Sequence, residues 1–186
     1  MTNKQFLSGA LVALLLAGVC ASTNAQVTSA STSTAPASSP QAEAGTFTLD
    51  AADIRFTVPA EWDVKPGGDG DTVKVSPKAG GAQVALIALP AELKSEESGG
   101  LIEGLAGKSG VSEIKWGELQ EDETLGGMKA AVRPYAGKNN GHDVEGMFFL
   151  LSAERPVFIV LVIEKSRRAA LAKDVEALIN SIKKAE

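Results

Sequence analysis

Apolar and polar residues alternate from Phe47 onward, and the period of that alternation predicts strands. Phe47 and Leu49 begin it, and Ile54, Phe56 and Val58 repeat it around Arg55 and Thr57. Pro59 ends the ladder, since proline has no N–H to donate. Trp62 and Val64 form a short extended piece, and Pro66 to Asp71 is a glycine-rich turn. Thr72 to Ser76 alternates again. Gly80-Gly81 marks a hairpin, and Gln83 to Leu89 is almost continuously apolar, the pattern of an inner strand.

The period changes between Pro90 and Lys108. Leu93, Leu101, Ile102 and Leu105 share one helical face, with Glu92, Lys94, Glu96 and Glu103 mostly off it; Gly99 and Gly100 weaken or split this helix. Ile114 and Trp116 open another strand, and Gly117 marks a bulge in it. Three antiparallel strands are predicted next, over Thr124 to Tyr135, Val144 to Ser152 and Pro156 to Glu164. Asn139-Asn140-Gly141 turns the chain between the first two. Val157 to Ile163 is apolar on both faces, as in a central strand covered from both sides. Ser166 is placed to cap a final helix, whose Leu171, Val175, Leu178, Ile179 and Ile182 recur at helical spacing. The fold class is therefore α+β: a mostly antiparallel sheet with helices packed on it, an α/β/α sandwich spanning residues 46–186.

The residues before this domain are of another kind. Lys4, the uncharged apolar run Leu7 to Val19, and Thr23-Asn24-Ala25 read as an export signal over residues 1–25, cleaved near Ala25. Residues 26–45 are rich in Ser, Thr, Ala and Pro, a composition that does not support a core and reads as a disordered linker. The expected location is the periplasm. Cys20 is the one cysteine of the chain, so no disulfide forms within the chain. It follows Leu16-Ala17-Gly18-Val19, one residue out of step with a lipoprotein box, and a lipid anchor at Cys20 is the alternative to cleavage after Ala25.

The formal charge is −5; loss of Lys4 with the signal leaves 17 basic against 23 acidic residues, or −6. Such a surface complements neither nucleic acid nor an anionic membrane.

Two stretches resemble the PsbP/DcrB-like family of small exported or lumenal α-β-α sandwich domains. One is Ile54-Arg55-Phe56-Thr57-Val58-Pro59-Ala60-Glu61-Trp62, similar to that family's opening strand, proline and tryptophan. The other is the ending, with strands over Gly146 to Leu151 and Val157 to Ile163 and a helix closing in Ala177-Leu178-Ile179-Asn180-Ser181-Ile182. The resemblance implies a sandwich over residues 46–186 and a binding or assembly role without catalysis.

No motif supplies a reaction. Gly107-Lys108-Ser109 follows a helix instead of opening one, and Ile102 stands where a phosphate loop needs glycine, so Gly107 or Gly110 reads as a helix C-cap. Ser112 to Lys115 and Ser181 to Lys184 spell Ser-x-x-Lys out of context: the first sits on a strand, the second at a helix end. His142, the sole histidine, follows the Asn-Asn-Gly turn beside Asp143 and reads as a solvated turn residue; one imidazole does not make a zinc site. Asp69, Asp71 and the run Glu121-Asp122-Glu123 lack the spacing of a calcium loop and read as solvated turns. Trp62 fits the core, and the more open Trp116 is the candidate binding residue. No cofactor, metal or catalytic residue is expected. The leading expectation is a non-enzymatic binding or envelope-assembly accessory protein acting on a protein partner. An immunity protein neutralising a secreted effector in the periplasm is the alternative, and a hydrolase a further one that no motif supports.

Overall fold

The computed structural model describes residues 45–91 and 98–185. The expected signal segment, Cys20, the linker up to residue 44, and Glu92, Leu93, Lys94 and Glu96 of the first helical pattern lie outside them.

Two antiparallel sheets and two helices make the domain. The smaller sheet has three strands, β1 (Gly45–Leu49), β2 (Ile54–Val58) and the two-residue β11 (Lys183–Lys184), in the order β1-β2-β11. The larger sheet runs β3 (Trp62–Pro66), β4 (Thr72–Pro77), β5 (Ala82–Ala88), β10 (Val157–Glu164), β9 (His142–Leu151), β8 (Met128–Asn139) and β6 (Val111–Trp116), and β7 (Gln120–Leu125) also pairs with β8. Every pairing is antiparallel. Strand β10 lies between β5 and β9, and its first seven residues are all buried, as its doubly apolar sequence requires.

Helix α1 (Ser98–Ala106) packs on one face, where Ile102 and Ala106 reach zero exposure among Ala85, Phe148, Leu150, Phe158 and Val160. Gly99 and Gly100 lie in the first described turn of this helix. Helix α2 (Arg168–Ser181) buries Leu171, Val175, Leu178 and Ile179 and lies against β2. Side-chain hydrogen bonds fix that contact. Ser181 Oγ accepts from the Thr57 N–H at 2.8 Å and donates to Leu178 O at 2.7 Å, which occupies the second Ser-x-x-Lys serine in joining helix to sheet. An ion pair from Arg168 to Glu145, 2.9 Å, ties the start of α2 to β9.

Four local expectations are corrected. The strand expected over Thr124 to Tyr135 is two strands, because Gly126 and Gly127 take φ of 57° and 82° and turn the chain between β7 and β8. At Gly126 the turn passes so close to the Ile182 carbonyl that a Cβ would sit 2.0 Å from its oxygen. The run Glu121-Asp122-Glu123 therefore lies in a strand instead of a turn. Asp71 is not simply solvated either: it accepts from Arg155 Nη1 at 2.9 Å, while Asp69 Oδ1 accepts from the Asp71 N–H at 3.0 Å. Ser166 does not cap α2, since residues 165–167 form a 3₁₀ turn that runs straight into the helix and Arg167 takes the cap position without a side-chain bond.

Candidate functional site

Trp116 ends β6 at a break in the sheet's outer strand. Strands β6 and β7 run one after the other along the same edge of β8. Trp116 pairs with Tyr135 and Gln120 with Val132, so residues 117–119 face only 133–134. Gly117 is needed at this step: a Cβ there would lie 2.7 Å from Pro134 Cγ, while its N–H donates to Pro134 O at 2.9 Å. The register slips twice more, between Ser112 and Lys115 and between Gln120 and Glu123. The first slip contains Glu113 at φ 52°, a left-handed residue without glycine's freedom. Gly137 makes room opposite it, with a Cβ there only 2.7 Å from Ser112 O. Lys138 Nζ holds Glu113 at 3.0 Å, and that hydrogen bond, reinforced by the charge, raises the lysine pKa.

The indole is held between Arg133 and Phe148. Arg133, on β8, places its guanidinium 4.7 Å from the ring centroid, a cation–π contact worth about 0.5–2 kcal/mol depending on exposure. The same guanidinium pairs with Glu103 of α1, and its Nε donates to Gly117 O at 3.3 Å. Phe148 supports the ring from the core at 5.5 Å between centroids and 49°. Trp116 remains half-exposed, and its Nε1–H has no acceptor among the described residues.

A fixed aromatic stack lies beneath. Tyr135 stacks on Phe148 at 4.5 Å, and Phe148 on Phe158 at 5.6 Å and 5°. The Tyr135 hydroxyl is buried and donates to Leu161 O at 3.0 Å. Burial raises its pKa well above the ordinary 10.0, so it remains a neutral donor. Gly146 opens that path: a Cβ there would fall 1.8 Å from Leu161 O and 3.1 Å from the Tyr135 hydroxyl. The edge in front of Trp116 is acidic, with five carboxylates against one lysine between Val111 and Leu125. Glu118, Glu121 and Asp122 are exposed there.

A concavity of about 150 Å³ lies where β5 begins, β10 ends and β8 turns into β9. Gln83, Asn139, His142 and Glu164 line it over Val144 and Val162. The turn beside it has Asn140 and Gly141 at φ 49° and 83°, the hairpin geometry that an Asn-Gly pair adopts readily. His142 is exposed at the rim, and the lining holds no hydroxyl, thiol or amine nucleophile. No group of three or more His, Cys, Asp or Glu residues that could hold a metal occurs among the described residues. Ser112 Oγ donates to Lys138 O at 3.4 Å and Ser109 Oγ to Ala106 O at 2.7 Å, both structural roles. Trp62, by contrast, is 6% exposed and belongs to the core, and its backbone N–H donates to Pro59 O at 3.1 Å in the turn before it.

No protein-family model and no curated protein matches the chain. Solved structures do. The Saccharomyces cerevisiae Ran-binding protein Mog1p is similar at TM-score 0.54 and 10% identity, over 77% of this chain and 96% of that one. The cyanobacterial PsbP of Synechocystis (CyanoP) is similar at TM-score 0.52 and 9% identity, over 81% and 97%. The fold is PsbP-like. At such identities the likeness is one of backbone alone. Within this PsbP-like fold, the segment from Ile54 to Trp62 is structural: β2, a proline turn and the buried Trp62. Sequence reasoning singled out Trp116 but missed Arg133, Glu103 and Phe148. Only the pairing of β6 with β8 and the docking of α1 bring them to the indole, and no local spacing encodes that.

Proposed function

We propose that this PsbP-like domain is an exported, non-catalytic binding protein that engages a protein partner through the Trp116 face. The observation that carries the reading is the clamped, half-exposed indole. Tryptophan and arginine are the residues most enriched where binding energy concentrates, and a side chain already held in place loses little entropy on binding. Arg133, Glu103 and Phe148 fix Trp116 before any partner arrives. The bulged outer strand cannot readily extend the sheet, so recognition is by side chains. The carboxylates along it favour a partner with a basic face. That charge also supports a narrower reading, in which the partner is a basic secreted effector and this protein its inhibitor.

The location belongs to the proposal. Residues 1–25 act as the export signal, residues 26–44 as a linker and the rest, from Gly45 at the start of β1, as the binding domain in the periplasm, with a Cys20 lipid anchor as the variant form. No helix among the described residues is long and apolar enough to cross a membrane.

Affinity capture from the host's envelope fraction tests the reading, with the wild-type chain beside W116A and with R133A as a second variant. A partner retained by the wild type and lost by at least about ten-fold with W116A supports it, the loss expected of an interface anchor. Equal capture by wild type and W116A overturns it.

A further inference from the structure

The sheet edges of this molecule are not treated alike. Five strands border the two sheets: β3, β6, β7, β11 and β1. Four carry the devices that keep an edge from pairing. Strand β3 has Asp63, Lys65 and Pro66; β6 has Glu113, Lys115 and a register slip; β7 has Glu121-Asp122-Glu123 and another slip; β11 is Lys183-Lys184. Strand β1, Gly45-Thr46-Phe47-Thr48-Leu49, has none of them. It is uncharged, contains no proline, and pairs with β2 in unbroken register from Gly45↔Val58 to Leu49↔Ile54. No described strand pairs with its outer side.

The one exposed large hydrophobic side chain among the described residues lies at the centre of that strand. Phe47 is 37% exposed and stacks on buried Phe56 at 6.2 Å and 26°. Its ring also covers Gly45, where a Cβ would meet it at 2.8 Å. Thr46 and Thr48 flank it and are exposed. Thr46-Phe47-Thr48 reads the same in both directions. In an antiparallel pair with its own copy, Phe47 lies opposite Phe47 on the two-fold axis, and each threonine lies opposite the other threonine of the second chain. Aromatic pairs and Thr–Thr pairs are favourable cross-strand contacts, so the pairs that the two-fold axis brings together here are self-complementary.

The geometry points to β1 as a homodimer interface: two copies join their smaller sheets edge to edge, antiparallel, about Phe47. The occupant is a second copy of this chain, because its β1 sets Phe47 against Phe47 and threonine against threonine along an uncharged, unbroken edge. Five residues per chain bury less than a standard interface of about 1,600 Å². The dimer is therefore weak, with a dissociation constant on the order of 0.1 mM.

Sedimentation equilibrium of the exported chain, from about 0.01 to 2 mM, measures it. The wild type is expected to pass from monomer to dimer across that range. T46K/T48K sets lysine against lysine twice across the axis, and weakening of at least about ten-fold is expected. T46K/T48E makes both cross-axis pairs opposite in charge, and association within about three-fold of wild type is expected. Both positions are exposed, and thermal unfolding of each variant verifies that the fold is intact. Three results overturn the inference: a wild type that stays monomeric to about 2 mM, a dimer indifferent to T46K/T48K, or T46K/T48E as weak as T46K/T48K.

Discussion

Gly146→Ala places a methyl group where the sheet has no space. Gly146 sits in β9 opposite Val162 of β10 on one side and Tyr135 of β8 on the other. Its Cβ would stand 1.8 Å from Leu161 O, whereas ordinary contact begins at 3.4 Å. The two strands must move apart locally by about 1.5 Å, which carries a ladder bond of about 2.9 Å past any useful length. Overpacking costs about 1–3 kcal/mol and a buried bond left unmade about 1–3 kcal/mol more. The expected loss is about 2–6 kcal/mol, a large share of the roughly 5–15 kcal/mol that holds a domain together. For a domain of this length the fall in Tm is roughly 10–20 °C. Gly104→Ala is the internal control. Gly104 lies inside α1 with nothing within 4 Å of its added Cβ. The same methyl should stabilise there by about 0.5–1 kcal/mol. Thermal and urea denaturation followed by circular dichroism read both. A Gly146→Ala protein melting within about 2 °C of wild type would refute the packing argument.

Tyr135 is the only tyrosine, so tyrosinate absorbance reports it alone. Its pKa is raised in the folded state, so its contribution to stability is complete below the ordinary 10.0 and declines as pH rises above it. The native chain should therefore form no tyrosinate between pH 10 and 11 until it unfolds, and Y135F should lose that part of the alkaline dependence; early titration in the folded protein would contradict the burial argument. Arg155→Ala removes both the Asp71 pair and the bond to Leu89 O at 3.1 Å. Its partners are partly solvated, so the expected cost in urea melts is only about 1–2 kcal/mol, with Asp71→Asn costing less; equal losses would show that the carboxylate carries the whole contact.

Much of the fold was legible because it is written locally. The unbroken apolar run of β10, the Asn140-Gly141 turn and the helical spacing from Leu171 to Ile179 each fix their element without help from distant residues. The misses occurred where tertiary contact overrides local pattern. The apolar character of residues 124–135 hid the Gly126-Gly127 turn, whose tight approach to the Ile182 carbonyl is visible only in three dimensions. The two-residue β11 is too short and too charged to read as a strand, and exists because β2 offers it partners at Ile54 and Arg55. The candidate site divides the same way. Trp116 was visible as an unassigned aromatic, whereas its clamp comes from β8, β9 and α1, separated from it in sequence by as many as 32 residues at Phe148.

The most direct test of the binding account is photo-cross-linking in the living host, with a photoreactive amino acid in place of Trp116 and, as a control, of Asp63 on the opposite edge of the large sheet. The account predicts one discrete protein adduct from position 116, identified by mass spectrometry as an envelope or secreted protein, and none from position 63. No adduct at 116, or the same adducts at both positions, would contradict it.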